Sequence, residues 1–187
     1  MAVTGVSICN EALLLIGADD INSFDDNTNE ARLCKSVYQT TKETLYQYHP
    51  WRFSLMQKDL GGALNQDPLF KWRYKFQLPV DMLRIVALEN DENYEIYETT
   101  LYTDVNPCRL IYQRDVGEGK MPAYFKRCLV FHLARLFGMS LQEDAAKMQV
   151  FDQAADKETA RARSIDTQQQ PNIGIPDRNF TLVNIRG

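Results

Sequence analysis

Two histidines, four cysteines and a surplus of carboxylates are the residues of this 187-residue chain that could carry chemistry. His49 precedes Pro50 at an expected helix end, and His132 lies on an apolar helical stripe. An imidazole in either setting reads as a satisfied structural group before it reads as a base. Cys9, Cys34 and Cys128 fall on the apolar sides of expected helices, and Cys108 follows Pro107 at the start of a strand. No two have the spacing of a zinc-site cysteine pair, so all four are expected to be buried thiols acting as small hydrophobes. Asp25, Asn27 and Asn29 imitate the opening of an EF-hand loop. Glu30, however, stands where the turn glycine belongs and Ser36 where the bidentate glutamate belongs, which argues against calcium. The chain has no G-x-S-x-G, no phosphate-binding G-x-x-x-x-G-K and no H-E-x-x-H, and the Gly61-Gly62 pair alone cannot cradle a phosphate. No catalytic residue, metal ligand or cofactor is expected, and no enzyme activity. One enzymatic alternative stays open, because glycoside hydrolysis needs only two acids at a set separation and carboxylates are plentiful.

The elements that would position any of these groups centre on residues 27–53. Asn27 with Glu30 has the form of a capping box. Leu33, Cys34, Val37, Thr41, Leu45 and Tyr48 recur every three or four residues and draw an apolar stripe, with Arg32, Lys35, Gln39, Lys42 and Glu43 opposite. Pro50 ends that helix near Tyr48. Trp51 and Phe53 follow at once, and two aromatics at the point where helix becomes strand mark this junction as the hinge of the core.

Around the junction, residues 7–16 read as a first helix with Ile8, Ala12, Leu15 and Ile16 inward, closed by Gly17 and leaning on the second helix. Beyond it, residues 51–60, 70–78, 82–89, 94–102 and 109–114 are rich in aromatic and aliphatic residues and read as five strands. Short connections between them favour an antiparallel meander. Pro122 opens a third helix with Phe125, Leu129, His132, Leu133 and Leu136 inward, broken at Gly138. Ser140 and Glu143 form a second capping box for a fourth helix over 141–166. Its repeating positions Ala145, Met148, Asp152, Ala155, Thr159 and Ala162 are mostly small, a face suited to a subunit contact as well as a core. The expected fold class is therefore α+β. A bundle of about four antiparallel helices is contributed by residues 1–50 and 118–170, an antiparallel β lobe over 51–117 is inserted in it, and an extended tail runs over 171–187. That tail reads as either disordered, as free ends usually are, or docked on a partner sheet or groove through the apolar residues Phe180, Leu182, Val183 and Ile185.

Composition excludes several function classes. A content of 44% hydrophobic residues fills a core. The net charge of −4 argues against tight duplex binding, which needs clustered Lys and Arg to displace counterions. No segment reaches the roughly 20 apolar residues of a membrane span. The N-terminal residues lack the basic start and apolar run of a secretory signal, and with the free cysteines this leads to the expectation of a cytosol-like compartment.

The order of short motifs resembles the tail tubular protein A family, the head-to-tail adaptors of short-tailed bacteriophages. The motifs are A-L-x-x-I-G (Ala12, Leu13, Ile16, Gly17), W-x-F (Trp51, Phe53), L-P-x-D (Leu78, Pro79, Asp81) and M-P-x-x-F (Met121, Pro122, Phe125), followed by a long acidic-to-basic helix. The resemblance covers roughly residues 7–166. One departure is His49-Pro50 before Trp51, where relatives often carry glycine. The resemblance implies a virion protein of the tail neck, assembled in the host bacterial cytoplasm. It would form a homo-oligomeric ring, typically dodecameric, clamped between the portal protein and the tail nozzle protein. Genome DNA would pass through the bore without specific binding, and no membrane would be involved. The acidic composition agrees with such a passive channel. Some adaptor-like phage proteins are thought to cleave cell wall or exopolysaccharide, so a carboxylate-dependent hydrolase of those polymers is the enzymatic alternative.

Overall fold

In the computed structural model of the chain, which describes residues 3–64, 70–141 and 145–169, the first helix, α1 (Gly5–Ile16), opens on Thr4. The Thr4 hydroxyl accepts the Ser7 amide at 3.2 Å and Ser7 Oγ accepts the Thr4 amide at 3.0 Å. This reciprocal capping box satisfies two otherwise free donors and starts the helix ahead of its expected position. Gly17, at φ 76°, closes it in the left-handed conformation that glycine takes without strain. Ile8, Ala12 and Ile16 are buried as expected, but Leu15 is 43% exposed and Leu13 is buried in its stead. The inward face is rotated because α1 packs chiefly on the third helix, α3 (Ala123–Leu141), rather than on the second, α2 (Asn29–Tyr48).

α2 ends where Pro50 requires, with His49 extended at φ −158°. Its start differs from the expected capping box. Thr28, not Asn27, is the N-cap and accepts the Ala31 amide at 3.2 Å, while Asn27 Oδ1 accepts from the Arg32 guanidinium instead. Cys34, Thr41 and Leu45 are buried, Leu33 and Val37 half-buried, and Tyr48 is mostly turned out. Ala31, Tyr38, Tyr46 and, against expectation, Lys42 complete the inward face.

α3 runs straight through Gly138, which the sequence made a break. Ser140 is the last-turn residue whose hydroxyl donates to Leu136 O at 3.2 Å, so it caps nothing. Its expected partner Glu143 lies outside the described residues. A Cβ on Gly138 would sit 3.8 Å from Phe151 and 4.0 Å from Ile16, so the ends of α1 and α3 meet the start of the fourth helix, α4 (Ala145–Thr167), at this point. Along α4, Ala155, Thr159 and Ala162 are buried, and α4 packs on α3 more extensively than any other pair of helices. Ala155, Thr159 and Ala162 are thus used inside the chain, where close approach of the two helices needs small residues, whereas Asp152 on the same stripe is exposed; the side chains of Ala145 and Met148 lie outside what is described.

Six strands fill the middle of the chain: β1 (Leu55–Asp59), β2 (Tyr74–Gln77), β3 (Met82–Leu88), β4 (Tyr94–Tyr97), β5 (Thr100–Thr103) and β6 (Arg109–Arg114). They form two three-stranded antiparallel sheets in the orders β1-β6-β3 and β2-β5-β4. The α+β class and the antiparallel pairing stand as expected, but the meander does not: only β4 and β5 are both consecutive and paired, while β1, β2 and β3 each pair with a strand later in the chain. Two strand bounds differ as well. The expected strand over 94–102 is two strands, because the chain reverses at Glu98 (φ 54°) and Thr99 without a glycine, proline or asparagine to signal it. The expected strand from Trp51 begins only at Leu55, after a 3-10 turn at Arg52–Ser54.

Buried apolar side chains fall into two clusters. One fills the helical body and includes Trp51 and Val116 from the two ends of the β region. The other, built on Phe76, Leu88, Leu101, Leu110 and Tyr112, lies between the strands. The tail residues Phe180, Leu182, Val183 and Ile185 lie outside the described residues.

Candidate functional site

Trp51 is fully buried, because the extended residues after α2 turn the indole back under the helix they have just left. Its Nε1–H donates to Leu45 O at 2.7 Å, the polar partner a buried indole requires. The ring meets His49 edge-on at 4.9 Å and Phe125 edge-on at 5.1 Å between centroids. Phe53 is half-buried and meets Phe125 at 4.9 Å and Tyr46 at 6.1 Å, both in tilted contacts. The two aromatics named by the sequence are therefore brought together on one ring of α3.

Two polar pegs hold this junction. From α4, the buried carboxylate of Asp166 accepts from His49 Nε2 at 3.0 Å, from the Arg52 amide at 3.1 Å and from the Tyr124 hydroxyl at 2.6 Å. Since a carboxylate only accepts here, His49 carries its proton on Nε2. Burial first, and then the Asp166 carboxylate, push the Tyr124 phenol well above its usual range, so it stays a donor. From β6, the buried Gln113 amide donates to His49 O at 3.0 Å and to Ser54 Oγ at 3.1 Å, and Ser54 Oγ donates to Trp51 O at 2.7 Å. An Asp-His pair can serve as a base when a nucleophile hydrogen-bonds to the imidazole. Here, among the described residues, Asp166 is the side chain bonded to the His49 ring, and the nearby Ser54 hydroxyl is committed to the backbone. The arrangement clasps the chain at its bend.

A second fastening holds the other end of the β region. Lys42, 5% exposed, reaches from α2 to Asp115 at 2.9 Å and Glu118 at 3.4 Å, and the Tyr38 hydroxyl donates to Glu118 at 3.1 Å. Tyr46 OH accepts the Val116 amide at 3.3 Å. Burial pushes the Glu118 carboxyl up, but its own backbone amide and the Lys42 ammonium outweigh that and leave it below the usual range. Sequence reasoning missed both Lys42 and Asp166. For Asp166 a signal existed: it continues the stripe Ala155, Thr159, Ala162 by one more turn, so the same spacing that buries those residues buries the carboxylate.

His132 is buried on α3 as a satisfied imidazole. Thr159 Oγ1 gives its single proton to Ala155 O at 2.8 Å and so accepts from His132 Nε2 at 2.8 Å. Burial first, then the Arg135 guanidinium, depress the imidazole to about 4. All four cysteines are buried free thiols, and among the described residues no group of three or more His, Cys, Asp and Glu could hold a metal. In the EF-hand-like run Asp25 pairs with Lys35 at 2.7 Å and Asn27 Oδ1 accepts from Arg32. Among exposed carboxylates Glu95 has the fullest set of donors: Trp72 Nε1 at 2.8 Å, Lys71 Nζ at 3.0 Å and Tyr97 OH at 2.8 Å. The Trp72 indole first, and then Lys71 and Tyr97, hold it at about 2. An acid so strong has no proton to give at neutral pH, which removes Glu95 as the general acid of a hydrolase.

No protein-family model matches this chain, and no curated protein matches it.

Proposed function

We propose that the chain is a head-to-tail adaptor of the tail tubular protein A type, a structural virion subunit without enzymatic chemistry of its own. The reading rests on one observation: the four motifs that carry the resemblance all stand at boundaries between elements. Gly17 is the left-handed cap of α1, and Trp51 with Phe53 packs the bend between α2 and β1. Pro79 and Asp81 make the turn into β3, where Met82 N donates to Pro79 O at 3.2 Å and Tyr112 OH donates to Asp81 at 3.2 Å. Pro122 starts α3, its carbonyl accepting from Phe125 N and Lys126 N at 3.1 Å. Residues at boundaries set how elements connect, so a shared order of such motifs speaks for a shared topology.

Exposed apolar side chains fit the same reading. Leu14 (77% exposed), Met139 (62%) and Val150 (65%) stand out near the meeting point of α1, α3 and α4. Ring closure needs two different faces of one subunit to meet, and exposed apolar groups are the usual material of such contacts. In this proposal about twelve copies form the ring, the portal protein and the tail nozzle protein are its partners, and genome DNA passes through an acidic bore that does not hold phosphates. Phe180, Leu182, Val183 and Ile185 dock on the portal, and repetition around the ring makes a weak single contact firm.

The test is attachment of purified protein to DNA-filled heads that lack tails. The proposal expects binding that saturates at one ring of about a dozen copies per head, and loss of attachment when residues 172–187 are deleted. Heads that take up no full-length protein would overturn the adaptor reading. Undiminished attachment of the truncated chain would overturn the docking role of the tail alone.

A further inference from the structure

We propose that Cys9 and Cys34 form a buried dithiol site that small-molecule disulfides oxidise to a Cys9–Cys34 disulfide, stapling α1 to α2. The two helices come close where Gly5 meets Tyr38: a Cβ on Gly5 would lie 3.0 Å from Tyr38 Cε1. One turn further along α1 stands Cys9, and one turn back along α2 stands Cys34. Residues four apart share a helix face, so the line of contact that sets Gly5 on Tyr38 sets one cysteine on the other. Both side chains are fully buried, and the two thiols are hydrogen-bonded to each other. The other two cysteines are placed differently. Cys128 Sγ meets Thr159 Oγ1 at 3.3 Å, and Cys108 lies apart in the cluster between the strands.

The pair is graded for exchange. The hydrogen bond from Cys9 holds the Cys34 thiol below its usual range, against burial and the Glu30 carboxylate. That same bond first, and then burial, push the Cys9 thiol well above its own. Cys34 is therefore the attacking sulfur. Its thiolate takes one sulfur of the small disulfide and releases the other half as a thiol, leaving a mixed disulfide on Cys34. Cys9 then gives up its proton and attacks the Cys34 sulfur, releasing the second small thiol. Two cysteine thiols are oxidised, one small disulfide is reduced to two thiols, and no other oxidant is needed. Because α1 packs chiefly on α3, a bond to α2 gives the first helix a second anchor. It also closes the chain across residues 17–28, which constrains the unfolded state. By linkage, a bond that stabilises the fold is favoured by the fold to the same degree. A cross-link over a loop of this size corresponds to about 100-fold.

The experiment refolds the full chain from denaturant in buffers of graded reduced and oxidised glutathione, so that burial does not limit access. The thiols are then quenched with acid and mapped by mass spectrometry, and the same buffers are applied in concentrated guanidinium chloride. The expected result is a linked pair of peptides carrying Cys9 and Cys34, two hydrogens lighter than the free pair, with Cys108 and Cys128 left as thiols. Half-formation should need about 100-fold more reducing conditions to undo in the folded chain than in the denatured one. The oxidised chain should melt about 5 to 10 °C above the reduced chain, and Cys34→Ser should lose both the link and the shift. Glutathione adducts on Cys9 or Cys34 without the link, a link to Cys108 or Cys128 instead, equal formation in the folded and denatured chains, or a lower melting temperature on oxidation would overturn the proposal.

Discussion

Asp166 Oδ2 lies 3.0 Å from His49 Nε2, across 117 residues of sequence. The same carboxylate accepts the Arg52 amide and the Tyr124 hydroxyl, so one side chain near the end of α4 ties together the exit of α2, the entry to the strands and the first turn of α3. Truncation to Asp166→Ala leaves three donors without an acceptor. Each buried donor without a partner costs about 1 to 3 kcal/mol, and relaxation toward water recovers part of that. Chemical denaturation should show a loss of about 2 to 4 kcal/mol, with Asp166→Asn between it and the parent. A loss under about 0.5 kcal/mol, the size of an ordinary surface change, would contradict the clasp.

Trp51 supplies the apolar half of the same junction. Trp51→Ala removes a fully buried ring and orphans Leu45 O, and it should cost about 3 to 5 kcal/mol. An unchanged melting temperature would remove Trp51 from the core.

The junction was legible in the sequence in its apolar part only. A tryptophan and a phenylalanine directly after a proline-terminated helix have few places to go but inward, and Pro50, Gly17 and Pro122 act through backbone geometry that no tertiary context changes. Lys42 was not legible, and Asp166 only in its place on the Ala155, Thr159, Ala162 stripe and not in its partners, because charge places such residues outside unless a partner distant in sequence comes to meet them, and Asp115 and His49 do so only in the folded chain. Tertiary packing also decided Leu13 over Leu15, since either could face inward until α3 is known to lie beside α1.

Lys42→Met tests the second fastening. The methionine fills the space of the stem but leaves Asp115 and Glu118 facing each other without a cation. Breaking a buried pair from one side costs about 3 to 5 kcal/mol, and the partial exposure of both carboxylates reduces the expected loss to about 1 to 3 kcal/mol. The double change Lys42→Met with Glu118→Gln should recover part of it. A double variant less stable than Lys42→Met alone would show that the cation is not what these carboxylates rely on.

His132 sets a pH dependence. Its folded-state value is depressed to about 4 from the ordinary 6.5, so its contribution is complete above pH 6.5 and is lost as pH falls toward 4, where the unfolded chain takes up a proton that the folded chain refuses. Asp156 partly opposes the depression, and Arg135 adds to it. Between pH 6.5 and pH 5, above the range in which the carboxylates begin to protonate, the loss should be about 2 kcal/mol. His132→Gln, which can still donate to Thr159, should flatten that slope whatever its effect on stability at neutral pH. An equal slope in the variant would assign the dependence to other groups.

The central claim is a closed ring, and native mass measurement of the purified chain, with electron microscopy of the same sample, tests it most directly. The adaptor proposed above should give a discrete species of about twelve copies of the 21.6 kDa chain with a central bore open to duplex DNA, formed alone at high concentration or on addition of a phage portal protein. A chain that stays monomeric under both conditions, or closes into a two-fold dimer without a bore, would contradict it.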